Sequence, residues 1–203
     1  MIDVVREKLP KEYERVVLEE YYSFFANMYG TGHTLFRGRI TYSMDESKLT
    51  NKDLTDPILT SAIGAVKSVY EDDNLEFILN RESDGRISAL ARVRINENED
   101  IHIAEVLFLE YQDYDEKIRI ISDITSELEE YARSLDCSIL YYEIPKYDKD
   151  GWNAAIFNGF KIVDEPQRIT SSQRTYLLSK PIALVRSNSD GCTLSRKQAK
   201  RTN

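Results

Sequence analysis

Between positions 10 and 29 the apolar residues Tyr13, Val16, Val17, Tyr21, Phe24, Phe25 and Met28 recur at helical spacing, with charges between them. Pro10 at a first-turn position and Gly30 past the end complete one predicted amphipathic helix. Residues 34–44 alternate like a strand. Residues 54–70 read as a helix with Asp56 as N-cap and Pro57 at its first position. Three strands follow, at 75–80, 87–95 and 101–109. They are joined by an Asp84-Gly85 turn and a polar turn at 96–100, which predicts an antiparallel meander. A long helix comes next, with Ile118, Ile121, Ile124, Leu128, Tyr131 and Leu135 on one face and a capping-box-like start at Asp113 and Glu116. Residues 137–144 form a continuous apolar run, the pattern of a strand buried on both faces. A short helix at 152–158, ending at Gly159, and strands at 161–163 and 175–178 close the pattern. Beyond Pro181 the periodicity stops, which predicts an unstructured end.

This order predicts an α/β fold of the mixed-sheet kind, with helices flanking a central sheet. The organisation expected is an N-terminal helical segment over residues 1–33, a body over 34–180 and a basic tail over 181–203. A chain of 203 residues buries roughly 70% of the surface its unfolded form exposes, so its core needs no staple. Cys137 and Cys192 make no disulfide framework and have no metal-ligand neighbour at zinc spacing, so no metal is expected and a reducing compartment is. No run approaches the 18 apolar residues of a membrane span, and the charged N-terminus lacks a signal-peptide core; a cytoplasmic protein is the expectation. The net charge of −8 is uneven. From Arg186 onward five basic residues face one acid, a balance of +4, so the rest carries −12. An acidic body disfavours nucleic acid and acidic partners.

From residue 75 onward the order strand, strand, strand, long helix, buried strand, short helix, Gly-Phe, strand, strand resembles the GNAT superfamily of N-acyltransferases. The stretch 126–144 (SELEEYARSLDCSILYYEI) is similar to that family's helix and following strand, and 153–165 (NAAIFNGFKIVDE) to its closing helix and Gly-Phe step. With the strand and helix at 34–70 as first elements, the likeness covers residues 34–180. It implies a GNAT-like fold carrying an extra N-terminal helix, and acyl transfer from acetyl-CoA or another acyl-CoA to a small-molecule or protein amine. It also implies that the donor's pantetheine pairs along the strand near Leu107 and Leu109. Glu105, on the same strand, matches the family's general-base position, and Glu143 on the next strand has similar standing.

Two departures shape what the resemblance implies. The family's glycine-rich turn, whose amides hold the pyrophosphate, corresponds here to 110–120 (EYQDYDEKIRI), and no glycine lies between Gly85 and Gly151. Asp113, Asp115 and Glu116 stand there instead, and at a surface dielectric each like-charge contact near ~4 Å costs up to about 4 kcal/mol. Lys117 and Arg119 are the cations that would compensate. In the closing helix, Ala155 stands where the family often has its general-acid tyrosine, leaving Tyr142 and Tyr147 as substitutes. His33 and His102 are isolated and form no triad. Two readings stay open: a divergent N-acyltransferase with a degenerate pyrophosphate loop, and a non-catalytic binding module on the same fold.

Overall fold

The computed structural model of the chain describes residues 3–6, 9–30, 43–96, 99–163 and 174–183, for residues 3–6 and 46 as backbone only. Of the strand expected at 34–44, residues 34–42 lie outside them and Ser43 and Met44 are not in a strand; the tail beyond residue 183 also lies outside. The elements are β1 (Asp3–Arg6), α1 (Glu14–Met28), α2 (Asn51–Leu54), α3 (Pro57–Glu71), β2 (Leu75–Arg81), β3 (Ile87–Asn96), β4 (Asp100–Phe108), α4 (Tyr114–Ser134), β5 (Ile139–Pro145), α5 (Lys149–Phe157), β6 (Lys161–Ile162) and β7 (Thr175–Pro181). The seven strands form one sheet in the order β1-β2-β3-β4-β5-β7-β6. Every neighbouring pair is antiparallel except β4 and β5, which run parallel.

Local chemistry explains most boundaries. Asp56 accepts from the amides of Ile58 (2.8 Å) and Leu59 (3.2 Å), and Pro57 opens α3 behind it. The predicted start at residue 54 belongs instead to α2, which a reciprocal Thr50–Asp53 capping box opens. Asp113 caps α4 through the Glu116 amide at 2.9 Å, while the Glu116 carboxylate turns to Arg119 at 2.8 Å, so one half of the expected box forms. α5 starts earlier than expected because Asp148 caps it at Gly151 N (2.9 Å). A Cβ at Gly151 would press on that Asp148 carboxylate, which would have to shift to keep the cap. β1 was missed: four residues are too few for a pattern.

Two apolar layers sandwich the sheet. On one face α1 and α3 pack Val17, Leu18, Tyr21, Leu59 and Val66 against Phe77, Leu79 and Leu90. On the other, α4 and α5 pack Ile120, Ile124, Leu128 and Ala155 against Ile101, Ile103, Leu140 and Ile144. The buried stripe of α4 centres on Ile120 and Ile121, with Ile118 only partly covered. β5 corrects a second expectation. Only its α4 face is fully buried, because no β5 residue joins the α1–α3 layer, which leaves Tyr141 and Glu143 half-open. Leu140 is wholly buried between β5 and α4. Leu140→Ala is expected to cost about 2–5 kcal/mol in a urea titration; a loss below about 1 kcal/mol would mean that this layer is loosely packed.

Candidate active site

The site begins with one extra residue. Along β3 and β4, Arg92 faces Glu105 and Val93 faces Ile103, so Ala104 has no partner and forms a β-bulge. Before it, Ile101 and Ile103 point to the α4 layer. After it, the alternation is reset, and Leu107 joins the α1–α3 layer while Val106 and Phe108 pack on the α4 side. The parallel β4–β5 pairing runs from Asp100↔Ile139 to Ile103↔Tyr142 and stops at the bulge. Beyond it β5 stays paired with β7 as far as Pro145↔Thr175. The C-terminal ends of β4 and β5 therefore separate into a cleft. Along it, the β5-facing edge of β4 has no strand partner among the described residues.

On the α1 face at the base of this cleft lies a buried polar cluster. Glu105, 3% exposed, receives Arg92 Nε at 2.6 Å, Arg92 Nη2 at 3.0 Å and the Tyr21 hydroxyl at 2.6 Å. Arg92 also reaches Ser68 of α3 at 3.2 Å. Beside it, His102 Nε2 stands 3.4 Å from Glu143 Oε1, and the His102 ring meets Tyr141 edge-on at 6.2 Å. Burial, then the Glu105 charge, pushes the Glu143 carboxyl above the usual carboxylate range, against the pull of Arg92. Burial holds His102 below the ordinary histidine value, so it is neutral near neutrality.

At the cleft mouth is a cavity of about 300 Å³ between α1, the end of β4, the start of α4 and the β5–α5 turn. Glu20, Glu110 and Asp148 line it, with Lys117 the only basic side chain among the described residues of its lining. Lys117 Nζ is tied to Asp150 at 2.9 Å and lies over the Phe108 ring. Glu110 is held by Arg86 at 2.6 Å. Asp148 is raised chiefly by burial. Gln112, 7% exposed, also lines the cavity, and its buried Oε1 has no hydrogen-bond partner among the described residues. Tyr147 spans the mouth, its hydroxyl donating to the Phe24 carbonyl at 3.3 Å, and burial with the Asp148 charge keeps that hydroxyl protonated.

The sequence-predicted residues thus fall into different places. Leu107, Lys117 and Tyr147 line the cavity. Glu105 sits beneath it, engaged by three hydrogen bonds. Leu109 packs in the α1–α3 layer outside the cavity lining. Tyr142 is buried on the opposite face from Glu105, edge-on to Phe160. Arg119 lies outside the cavity lining, paired with Glu116 and 3.8 Å from Glu82. Glu20, Gln112, Asp148, Arg92 and Tyr21 were not singled out from the sequence. Of these, only Asp148 carried a local signal, an aspartate three residues before a glycine at a helix start.

Neither a protein-family model nor a curated protein sequence matches the chain. Solved structures do. The Campylobacter jejuni N-acetyltransferase PseH in complex with acetyl coenzyme A covers 90% of this chain and 100% of its own, at 10% identity and a TM-score of 0.52. PaiA N-acetyltransferase from Thermoplasma acidophilum in complex with coenzyme A covers 89% and 99%, at 11% identity and a TM-score of 0.53. An acetyltransferase of the GNAT family from Staphylococcus aureus covers 90% and 100%, at 11% identity and a TM-score of 0.55. These likenesses show the fold: it is that of the GNAT acetyltransferases. No helix among the described residues is long and apolar enough to cross a membrane.

Two measurements probe the polar cluster. Glu105→Leu strands the Arg92 charge and is expected to cost about 3–5 kcal/mol, whereas the double variant Arg92→Met/Glu105→Leu recovers most of it. Equal losses in both variants would show that packing, not charge, dominates. The second concerns pH. Because the folded-state value of His102 is depressed, the unfolded chain binds more protons between the two values. The contribution of His102 is therefore fully present above about pH 6.5 and is lost as pH falls through the folded value. The raised Glu143 carboxyl works the other way: its contribution is present at low pH and lost as pH rises through its folded value. His102→Gln should flatten the loss of stability between about pH 7 and about pH 5. An unchanged slope would sink the assignment.

Proposed function

We propose that this chain is an N-acyltransferase, moving an acyl group from a thioester, in the simplest case acetyl-CoA, to an amine. The observation that carries the proposal is the cleft opened by the bulge at Ala104, with an unpaired strand edge on one side and carboxylates at its base and mouth. An extended amide arm can add to such an edge as a further strand would. That edge fits a pantetheine arm through the β4 backbone near Leu107, whose side chain points into the α1–α3 layer. The N-terminus of α4 does not fit a pyrophosphate. Asp113 already caps it, Asp115 and Glu116 are beside it, and Lys117 is tied to Asp150. Acetyl-CoA is therefore expected to bind weakly, at or above roughly 0.1 mM, which is no more than about 5.5 kcal/mol.

The amine side is better served. Glu20, Asp148 and the unpartnered Gln112 oxygen favour an ammonium group at the mouth. Glu143, on β5 and outside the cavity lining, is proposed as the strand carboxylate that takes its proton: half-open, raised above the usual carboxylate range and next to His102. Glu105 is proposed as its positioning partner, fixing Arg92 and Tyr21 and supplying the negative charge that raises Glu143. Tyr147 is the hydroxyl at the mouth that can return a proton to the leaving sulfur.

The reading is tested by following thiol release from acetyl-CoA with a panel of primary amines. Turnover is expected, and Glu143→Gln should lower kcat by about 10²–10⁴. Replacing Asp115 and Glu116 by Asn and Gln should tighten acetyl-CoA binding in calorimetry, most at low salt. No turnover with any amine, together with no binding heat at millimolar acetyl-CoA, would replace this reading by the non-catalytic module.

A further inference from the structure

A second cavity, of about 400 Å³, lies on the far side of Asp148, which lines both. Its walls come from the start of α5 and from β6 and β7: Trp152, Tyr176, Ile162, Lys146, Lys149 and Asn153 complete it with Asp148. Trp152 and Tyr176 meet with ring centroids 4.7 Å apart at 59°, an open wedge rather than a stack. Tyr176 is 40% and Ile162 52% exposed, so apolar surface is left uncovered there. Lys146 Nζ stands over the Tyr176 ring at 5.3 Å, and no salt bridge among the described residues engages Lys146 or Lys149.

We propose that this wedge binds the phosphate-bearing end of a nucleotide-like ligand, its planar base on Trp152 and Tyr176 and its phosphates on Lys146 and Lys149. The reasons are complementary. A base gains stacking area on the parts of the Tyr176 and Trp152 rings left open to solvent. Two lysines that no carboxylate among the described residues engages mark a basic spot on a chain whose net charge is −8. The size is within the roughly 300–1,000 Å³ of small-molecule pockets. The α4 N-terminus, by contrast, already carries its own carboxylates. The ligand chemistry has two sources: a free nucleotide, or the nucleotide end of coenzyme A reaching across Asp148 from the cleft. The proposal does not depend on acyl transfer.

Trp152 is the sole tryptophan, so its fluorescence reports this cavity directly. The full chain is titrated with ADP and, separately, with coenzyme A, exciting the indole at its red edge. Saturable quenching by ADP is expected. The double variant Lys146→Ala/Lys149→Ala should weaken it at least about tenfold, and Tyr176→Ala should weaken it as well. Because Tyr176 is in a strand, the lysine variant, whose circular dichroism should match the parent's, keeps the test meaningful if Tyr176→Ala fails to fold. Quenching by both ligands assigns the wedge to the nucleotide end of coenzyme A. Quenching by ADP alone assigns it to a free nucleotide. No saturable change with either at millimolar concentration, or quenching unaltered in the lysine variant, overturns the proposal. Quenching by ADP without any thiol release in the amine panel would leave this site standing and remove the acyltransferase reading.

Discussion

The extra residue at Ala104 is the constraint on which the rest of the site depends. A strand shows alternate side chains to alternate faces, so one unpaired residue reverses the assignment of everything after it. Without the bulge, the parity that sends Ile101 and Ile103 to the α4 layer would send Glu105 there too, into an apolar core beside Ile120 and Ile124. With it, Glu105 meets Arg92 and Tyr21 on the other face, and the parallel ladder to β5 ends at Tyr142. Burial of the carboxylate and opening of the cleft are thus two outcomes of a single irregularity.

The buried pair then shapes the electrostatics around it. Arg92 and Glu105 are not evidence of net stabilisation, since removing both from water costs about what their attraction returns. Their role is directional. Glu105 holds Arg92 against β4, and together they present opposing influences to Glu143 on the next strand, the carboxylate raising it and the guanidinium lowering it. His102 is turned toward the same carboxylate, yet burial keeps the imidazole neutral. Where the α1–α3 layer ends, the sheet surface of β5 stays partly open.

Most of the fold was legible in the sequence because it is written in local signals. Asp56-Pro57 fixed the start of α3, Asp113 the start of α4, and the alternating runs gave the meander. What was not legible is relational. The bulge leaves no mark, because an alanine between Ile103 and Glu105 looks like any strand residue. Continuous apolarity over β5 suggested cover on both faces, but how far the opposite helical layer extends is a property of α1 and α3. For the same reason Glu105 could be named as a site residue without its guanidinium partner, which lies on another strand. Tyr142 and Tyr147, five positions apart, end in a core and at a cleft mouth respectively.

Charge placement separates the two ends of the cleft. The α4 N-terminus is an anion site by geometry, but Asp113 has taken its amide and Asp115 and Glu116 have taken its dipole. Lys117 meanwhile balances Asp150. An anion approaching from that side meets carboxylates, and an ammonium approaching from α1 meets Glu20 and Asp148. Across Asp148 the sign changes again, where Lys146 and Lys149 flank the aromatic wedge. Asp148 is therefore the boundary between a surface that favours cations and one that favours anions. Because it also caps α5, that boundary is fixed in place by the helix it starts.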